Sequence, residues 1–176
     1  MKLEENIQEV LVSEEQLKKR IAEMAADITR DYAGKKPLMV GILRGSVIFM
    51  ADLVRQIDLP ISMDFMVVSS YGAGTVSSGL VNIKKDLEED IKGRDVIIVE
   101  DIVDTGLTMK RMIETLGTRN PASVSICSLL VKPDKLKVDL DLKYVAFRIP
   151  NQFILGYGLD YDQQGRGLKD IYTICE

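Results

Sequence analysis

Residues 96–99 read Val-Ile-Ile-Val, apolar at every position, and run straight into Glu100-Asp101. A strand with one face in water alternates apolar and polar residues. A run without alternation must be covered on both faces, which is the condition of strands in a parallel sheet. Residues 37–43, 61–69 and 122–131 read as further strands, 80–83 as a fourth, and 145–147 and 153–156 as shorter ones around Pro150. Helical signals lie between them. Ser13-Glu14-Glu15-Gln16 fits a capping box, after which Leu17, Ile21, Met24, Ala25 and Ile28 recur at helical spacing, with Gly34 as a stop. Helices are also expected over 46–57 and 105–116. Residues 84–94 form a charged connection, and the Gly- and Ser-rich stretch 71–79 a flexible loop. The alternation predicts one α/β domain over residues 1–176, a central, mostly parallel twisted sheet flanked by helices. Its ligands belong at the carboxyl ends of the strands. The C-terminal stretch lacks helical alternation and is expected as a small subregion against the sheet.

Composition narrows the chemistry. The 176 residues include no histidine, which removes Ser-His-Asp and Cys-His catalysis and histidine-ligated zinc or iron. A general base must then be Asp, Glu, Lys or Tyr, and a metal must be a hard cation held by oxygen. Cys127 and Cys175 are too few for a disulfide framework or a closed zinc site, and Cys127 sits in an apolar run as a core residue. A net charge of −4 and a pI near 5.0 weigh against a protein that works by neutralising nucleic-acid phosphates. No apolar run approaches the roughly 20 residues of a membrane span, and the polar start has no secretory signal pattern. The chain is expected in the cytoplasm, with neither nucleic acid nor membrane as partner.

The chemistry concentrates after the apolar strand. Glu100 and Asp101 are followed by Asp104-Thr105-Gly106-Leu107-Thr108 and a helix. A turn at a helix N-terminus aims backbone N–H groups and threonine hydroxyls at one point, an anion site, and glycine lets the backbone approach a phosphate. Carboxylates beside an anion site make sense if the ligand also carries hydroxyls or a cation. A ribose 5-phosphate has both ends: a phosphate for the turn and cis hydroxyls for Glu100 and Asp101. Taken alone, each piece is also consistent with an acidic strand end and a capped helix.

This segment resembles the 5-phosphoribosyl-1-pyrophosphate motif of the type I phosphoribosyltransferases. Three further motifs extend the resemblance from about Val10 to the C-terminus. Leu43-Arg44-Gly45 resembles the loop that binds pyrophosphate, often through a non-proline cis peptide after the leucine. Ser70 and Tyr71 open a stretch that resembles a lid closing over the site, where they would meet pyrophosphate. Lys132, Phe153, Ile154 and Asp160 resemble the base-recognition set: Lys132 for a purine 6-oxo group, Phe153 for stacking, and main-chain carbonyls near Ile154 and Asp160 for a 2-amino group. The resemblance further implies that Asp160 joins Glu100 and Asp101 as a Mg²⁺ ligand, that Arg166 contacts pyrophosphate, and that Asp104 is the general base. One departure is visible, Gly165 standing where the family usually has an aromatic before the arginine. The implied fold is that of the type I phosphoribosyltransferases, with a small hood and a flexible lid. The implied activity joins hypoxanthine and guanine to the ribose of 5-phosphoribosyl 1-pyrophosphate with Mg²⁺, in a homo-oligomer, dimer or tetramer. Two alternatives stand beside it: a transferase for xanthine or another nucleobase, and a non-catalytic regulatory protein of this fold that binds nucleic acid.

Overall fold

The computed structural model describes residues 7–70 and 81–175. Strands β1 (Ile7–Val12), β2 (Leu38–Leu43), β3 (Ser62–Ser70), β4 (Val81–Lys85), β5 (Asp95–Val103), β6 (Ser123–Val131), β7 (Tyr144–Arg148), β8 (Ile154–Leu155) and β9 (Ile171–Ile174) are joined by helices α1 (Glu14–Asp31), α2 (Val47–Val54) and α3 (Leu107–Gly117). Six strands form one sheet in the order β4-β3-β2-β5-β6-β7, and β1, β9 and β8 form a second. In the large sheet only β4 runs antiparallel to its neighbour. No helix among the described residues is long and apolar enough to cross a membrane.

The unbroken apolar strand has the predicted cause. Val96 and Ile98 of β5, with Leu38, Val40 and Ile42 of β2, pack toward Met109, Met112 and Leu116 of α3. Ile97 and Val99, with Met39, pack on the opposite face toward Leu17, Ile21, Met24 and Ile28 of α1 and Phe49 and Leu53 of α2. Successive side chains of a strand point to opposite faces, so a strand between two helical layers is apolar throughout. Each fully buried side chain of this size contributes about 1.5–3 kcal/mol. The capping box is present as expected: the Ser13 hydroxyl accepts from the Gln16 N–H and the Gln16 side chain accepts from the Ser13 N–H. Cys127 is buried, and burial pushes its thiol well above the ordinary range.

Several boundaries differ from expectation. β5 extends through Val103, so Glu100 and Asp101 lie within the strand, because its ladder with β6 continues from Asp95 to Val103. α2 is shorter than 46–57, and α3 begins at Leu107, since Gly106 at φ +79 cannot continue a helix backward. α1 ends at Asp31, ahead of Gly34. The expected C-terminal subregion exists but recruits the other end of the chain: β9 pairs antiparallel with β1, which the sequence did not mark as a strand. The Glu14 N–H, at the start of α1, donates to Asp170.

β3 and β4 pair with Ser70 opposite Val81. The stretch 71–79 read as a lid, Tyr71 with it, lies outside the described residues. The far end of the β3–β4 hairpin is anchored: buried Asp64 accepts N–H bonds from Phe65 at 2.7 Å and Glu88 at 2.8 Å, and Lys85 lies 3.5 Å away.

Candidate active site

β2 and β5 are adjacent and parallel, and the chain leaves them in opposite directions across the sheet, β2 toward β3 and β5 toward β6. Such a switch point opens a crevice at the strands' carboxyl ends. A cleft of about 350 Å³ lies there, and Leu43, Arg44, Gly45, Glu100, Asp101, Asp104, Thr105, Gly106, Thr108, Asp160 and Arg166 all line it. Residues far apart in sequence thus meet on three connections. The sequence reading did not single out the apolar wall, Ile42, Val68, Ile102, Val103 and Met109. These are ordinary strand and helix residues, and only topology reveals which of them border the cleft.

After β2, the Leu43–Arg44 peptide is cis. The buried Ser46 hydroxyl donates to the Ile42 carbonyl at 2.6 Å, folding the turn back on its strand. Gly45 is required by proximity: a Cβ there would lie 1.5 Å from Asp101 Oδ2. Arg44 is exposed, and its guanidinium donates to the Gln163 side-chain oxygen at 2.5 Å.

After β5, Gly106 adopts φ +79 and starts α3 without a side-chain cap of its own, so first-turn N–H groups beyond that of Leu107 can meet an anion. Thr105 Oγ1 accepts from the Leu107 N–H at 3.4 Å. Glu100 is buried, and burial first, then the Asp101 charge, pushes its carboxyl well above the ordinary range. Asp104 has two differently placed oxygens. Oδ2 accepts from Lys135 Nζ at 2.8 Å, whereas Oδ1 is buried with no hydrogen-bond partner.

The hood contributes a tight turn. Tyr161 and Gln164 exchange backbone hydrogen bonds around Asp162 at φ +50 and Gln163 at φ +64, the signature of a two-residue type I′ loop. Asp160 Oδ2 accepts from the Gln163 N–H at 2.8 Å, and its Oδ1 lies 2.5 Å from Arg166. Arg166 also donates to the Gly158 carbonyl at 2.7 Å. The departure at Gly165 has a local reason: φ is +88, and a Cβ would meet Leu155 Cδ1 at 2.2 Å.

Lys132, Phe153 and Ile154 stand outside the lining of this cleft. Lys132 is buried at the end of β6, just before a 3-10 turn over Pro133–Lys135. Burial pulls its ammonium below the ordinary range, the Asp104 charge opposes that, and Lys135 adds to it. Phe153 is 54% exposed, so its ring is not consumed by the core. Ile154 opens β8. Ser70 ends β3, and Tyr71 is outside the described residues.

The acidic residues are all oxygen donors, as Mg²⁺ requires, yet among the described residues no three such groups converge to hold a metal ion. Asp101 and Asp160, both in the cleft lining, offer carboxylate oxygens of the kind a hard cation takes.

A family model, the phosphoribosyl transferase domain, matches residues 8–162, and the chain belongs to this phosphoribosyltransferase family. It is 50% identical over 174 residues to the hypoxanthine-guanine phosphoribosyltransferase of Streptococcus pneumoniae, covering 99% of this chain and 97% of that one. It is 49% identical over 175 residues to the hypoxanthine-guanine phosphoribosyltransferase of Mycobacterium avium, covering 96% and 86%. A crystal structure of a hypoxanthine phosphoribosyltransferase from Staphylococcus aureus superposes with a TM-score of 0.95 at 46% identity, over 98% of this chain and 94% of that one.

Proposed function

We propose that the chain, acting as one domain, transfers the 5-phosphoribosyl group of 5-phosphoribosyl 1-pyrophosphate to N9 of hypoxanthine and of guanine, releasing diphosphate. The observation that carries this reading is the convergence, in one cleft, of the glycine-started N-terminus of α3, the Glu100–Asp101 pair and the Asp104 carboxylate. The N-terminal turn of α3 takes the 5-phosphate through Thr105, Gly106, Leu107 and Thr108. Glu100 and Asp101 take the ribose hydroxyls. The Leu43–Gly45 loop, Arg166 and the Ser70–Tyr71 segment serve the diphosphate.

The bond from N9 to C1 forms as the bond from C1 to the diphosphate oxygen breaks, and the sugar passes through a positively charged state close to Glu100, Asp101 and Asp104. The proton on purine N7 moves to the Asp104 carboxylate, which lines the cleft. Glu100, Asp101 and Asp160 would hold Mg²⁺, which would supply positive charge for the departing diphosphate. Lys132 donates to the 6-oxo oxygen, Phe153 stacks on the base, and carbonyls at Ile154 and Asp160 receive the 2-amino group of guanine.

The test is a product assay on the purified chain with 5-phosphoribosyl 1-pyrophosphate, Mg²⁺ and each of hypoxanthine, guanine, xanthine, adenine and uracil. Inosine and guanosine monophosphates from the first two are expected. Nucleotide formation from adenine or uracil alone, or from none of the five, overturns the reading.

A further inference from the structure

We infer that Gln163 is a positioning residue for the diphosphate: its side-chain oxygen tethers the Arg44 guanidinium in the cleft lining before the ligand arrives. This rests on the reading of Arg44 as a diphosphate contact.

Three observations carry it. The first is how Arg44 is held. Arg44 lines the cleft and is exposed, and its guanidinium donates to Gln163 Oε1 at 2.5 Å. Among the described residues no carboxylate lies within ion-pair distance of it. A guanidinium carries five N–H groups, and a single acceptor leaves the others for an anion. A long side chain that is free in water loses rotamer entropy when it closes on a ligand, and one already tethered loses less.

The second is how Gln163 is held. It stands second in the two-residue loop between Tyr161 and Gln164, at φ +64, a place that glycine suits best. A glycine there would relieve the backbone and would lack the amide. The Gln163 N–H donates to Asp160 Oδ2 at 2.8 Å, and Asp160 Oδ1 meets Arg166 at 2.5 Å. Asp160 and Arg166 both line the cleft. The amide thus reaches Arg44 from a turn fastened to two other residues of the same site.

The third is that the fold does not depend on this bond. The hood meets the loop through its backbone: a Cβ on Gly158 would lie 2.1 Å from the Gly45 carbonyl oxygen. The buried Tyr157 donates its hydroxyl to Asp52 Oδ2 of α2 at 2.6 Å. Beside these contacts, an exposed hydrogen bond between two long side chains adds little stability, because ordering them offsets it. What it adds is a fixed place for one charge.

The experiment measures kcat, the KM values for 5-phosphoribosyl 1-pyrophosphate and hypoxanthine, the inhibition constant of inorganic diphosphate with Mg²⁺, and the melting temperature. The proteins are wild type, Gln163→Met, Gln163→Glu, Arg44→Met and the Gln163→Met/Arg44→Met double variant. Methionine keeps the length of the side chain and removes the acceptor. Gln163→Met should raise the sugar-substrate KM and the diphosphate inhibition constant together by roughly three- to tenfold, the worth of one ordinary hydrogen bond. The hypoxanthine KM should stay within about twofold, and the melting temperature should hold. Gln163→Glu, which keeps an acceptor but adds a negative charge, should recover part of the loss. In the Arg44→Met background Gln163→Met should cost nothing more, because the group it tethers is gone. Wild-type constants in Gln163→Met beside an impaired Arg44→Met overturn this inference alone. So do equal losses from Gln163→Met in both backgrounds, or a Glu variant no better than Met. A lowered melting temperature with both KM values rising alike makes Gln163 structural and also overturns it. Unchanged diphosphate constants in Arg44→Met overturn the diphosphate role of Arg44 and the inference with it.

Discussion

Gly45 and Asp101 stand so close that a methyl group on the glycine would lie 1.5 Å from the Asp101 carboxylate oxygen. The loop after β2 and the acidic pair of β5 are therefore one packed unit, although they are separated by two intervening strands in the chain. A side chain added to the loop at Gly45 would therefore meet the Asp101 carboxylate.

Gly45→Ala should consequently act on catalysis more than on stability. The new methyl group must push the Asp101 carboxylate out of the cleft, and a displacement of about 1 Å at a reacting centre can cost on the order of a hundredfold. We expect kcat/KM for 5-phosphoribosyl 1-pyrophosphate to fall by roughly that factor, with circular dichroism and the melting temperature little changed. Steady-state kinetics that match wild type would show that the loop and the pair are independent.

Glu100→Ala combined with Asp101→Ala should weaken use of 5-phosphoribosyl 1-pyrophosphate and spare the purine. A hydrogen bond to a charged group contributes about 1.5–3 kcal/mol, one to two factors of ten. The KM for the sugar substrate should rise at least roughly tenfold while that for hypoxanthine stays within about threefold. Equal rises in both would mean that the strand end has collapsed.

Asp64 gives a pH-dependent prediction. Burial opposes its charge, but the N–H groups of Glu88, Phe65 and Glu89, with Lys85, outweigh burial and hold its carboxyl below the ordinary range. A depressed folded-state value means the stabilisation is full above the unfolded value, about 3.9, and is lost as pH falls through the folded value. Asp64→Asn should lower the melting temperature at pH 7 by roughly 2–10 °C, corresponding to about 1–3 kcal/mol in a chain of this size. The gap from wild type should shrink steadily below about pH 4. Thermal melts from pH 7 to pH 3 would show it; a constant gap would mean that Asp64 is not the titrating anchor of the β3–β4 hairpin.

How far such relationships can be read in advance depends on their range along the chain. The two-faced burial of β5 was legible because Val96, Ile97, Ile98 and Val99 declare it locally. The anion turn was legible for the same reason, Asp104 to Thr108 being contiguous. β1 was not: its residues are mostly half-buried or exposed, and what makes Ile7–Val12 a strand is its partner β9 at the far end of the chain. Gly158 is similar, since only the folded chain reveals the Gly45 carbonyl where its Cβ would be, at 2.1 Å. Gln163 was overlooked beside Arg166, because nothing in Asp-Gln-Gln-Gly states that Arg44 lies opposite.

The central claim is that this cleft serves 6-oxopurines, and Lys132 offers the most direct test. An ammonium has donors and no acceptor, so it rewards a 6-oxo oxygen and opposes the 6-amino group of adenine. Its burial at the end of β6 sharpens both effects, because an unpaired charge there is costly. Phe153 is exposed; in the proposed role it would stack on the flat face of either base and would not discriminate between them. The measurement is kcat/KM for hypoxanthine and for adenine in wild type and Lys132→Ala. The account predicts that hypoxanthine falls by roughly ten- to a hundredfold, the worth of one charged hydrogen bond, while adenine, already poor, loses much less, so that the ratio narrows. A ratio that stays the same while both activities drop together would contradict it.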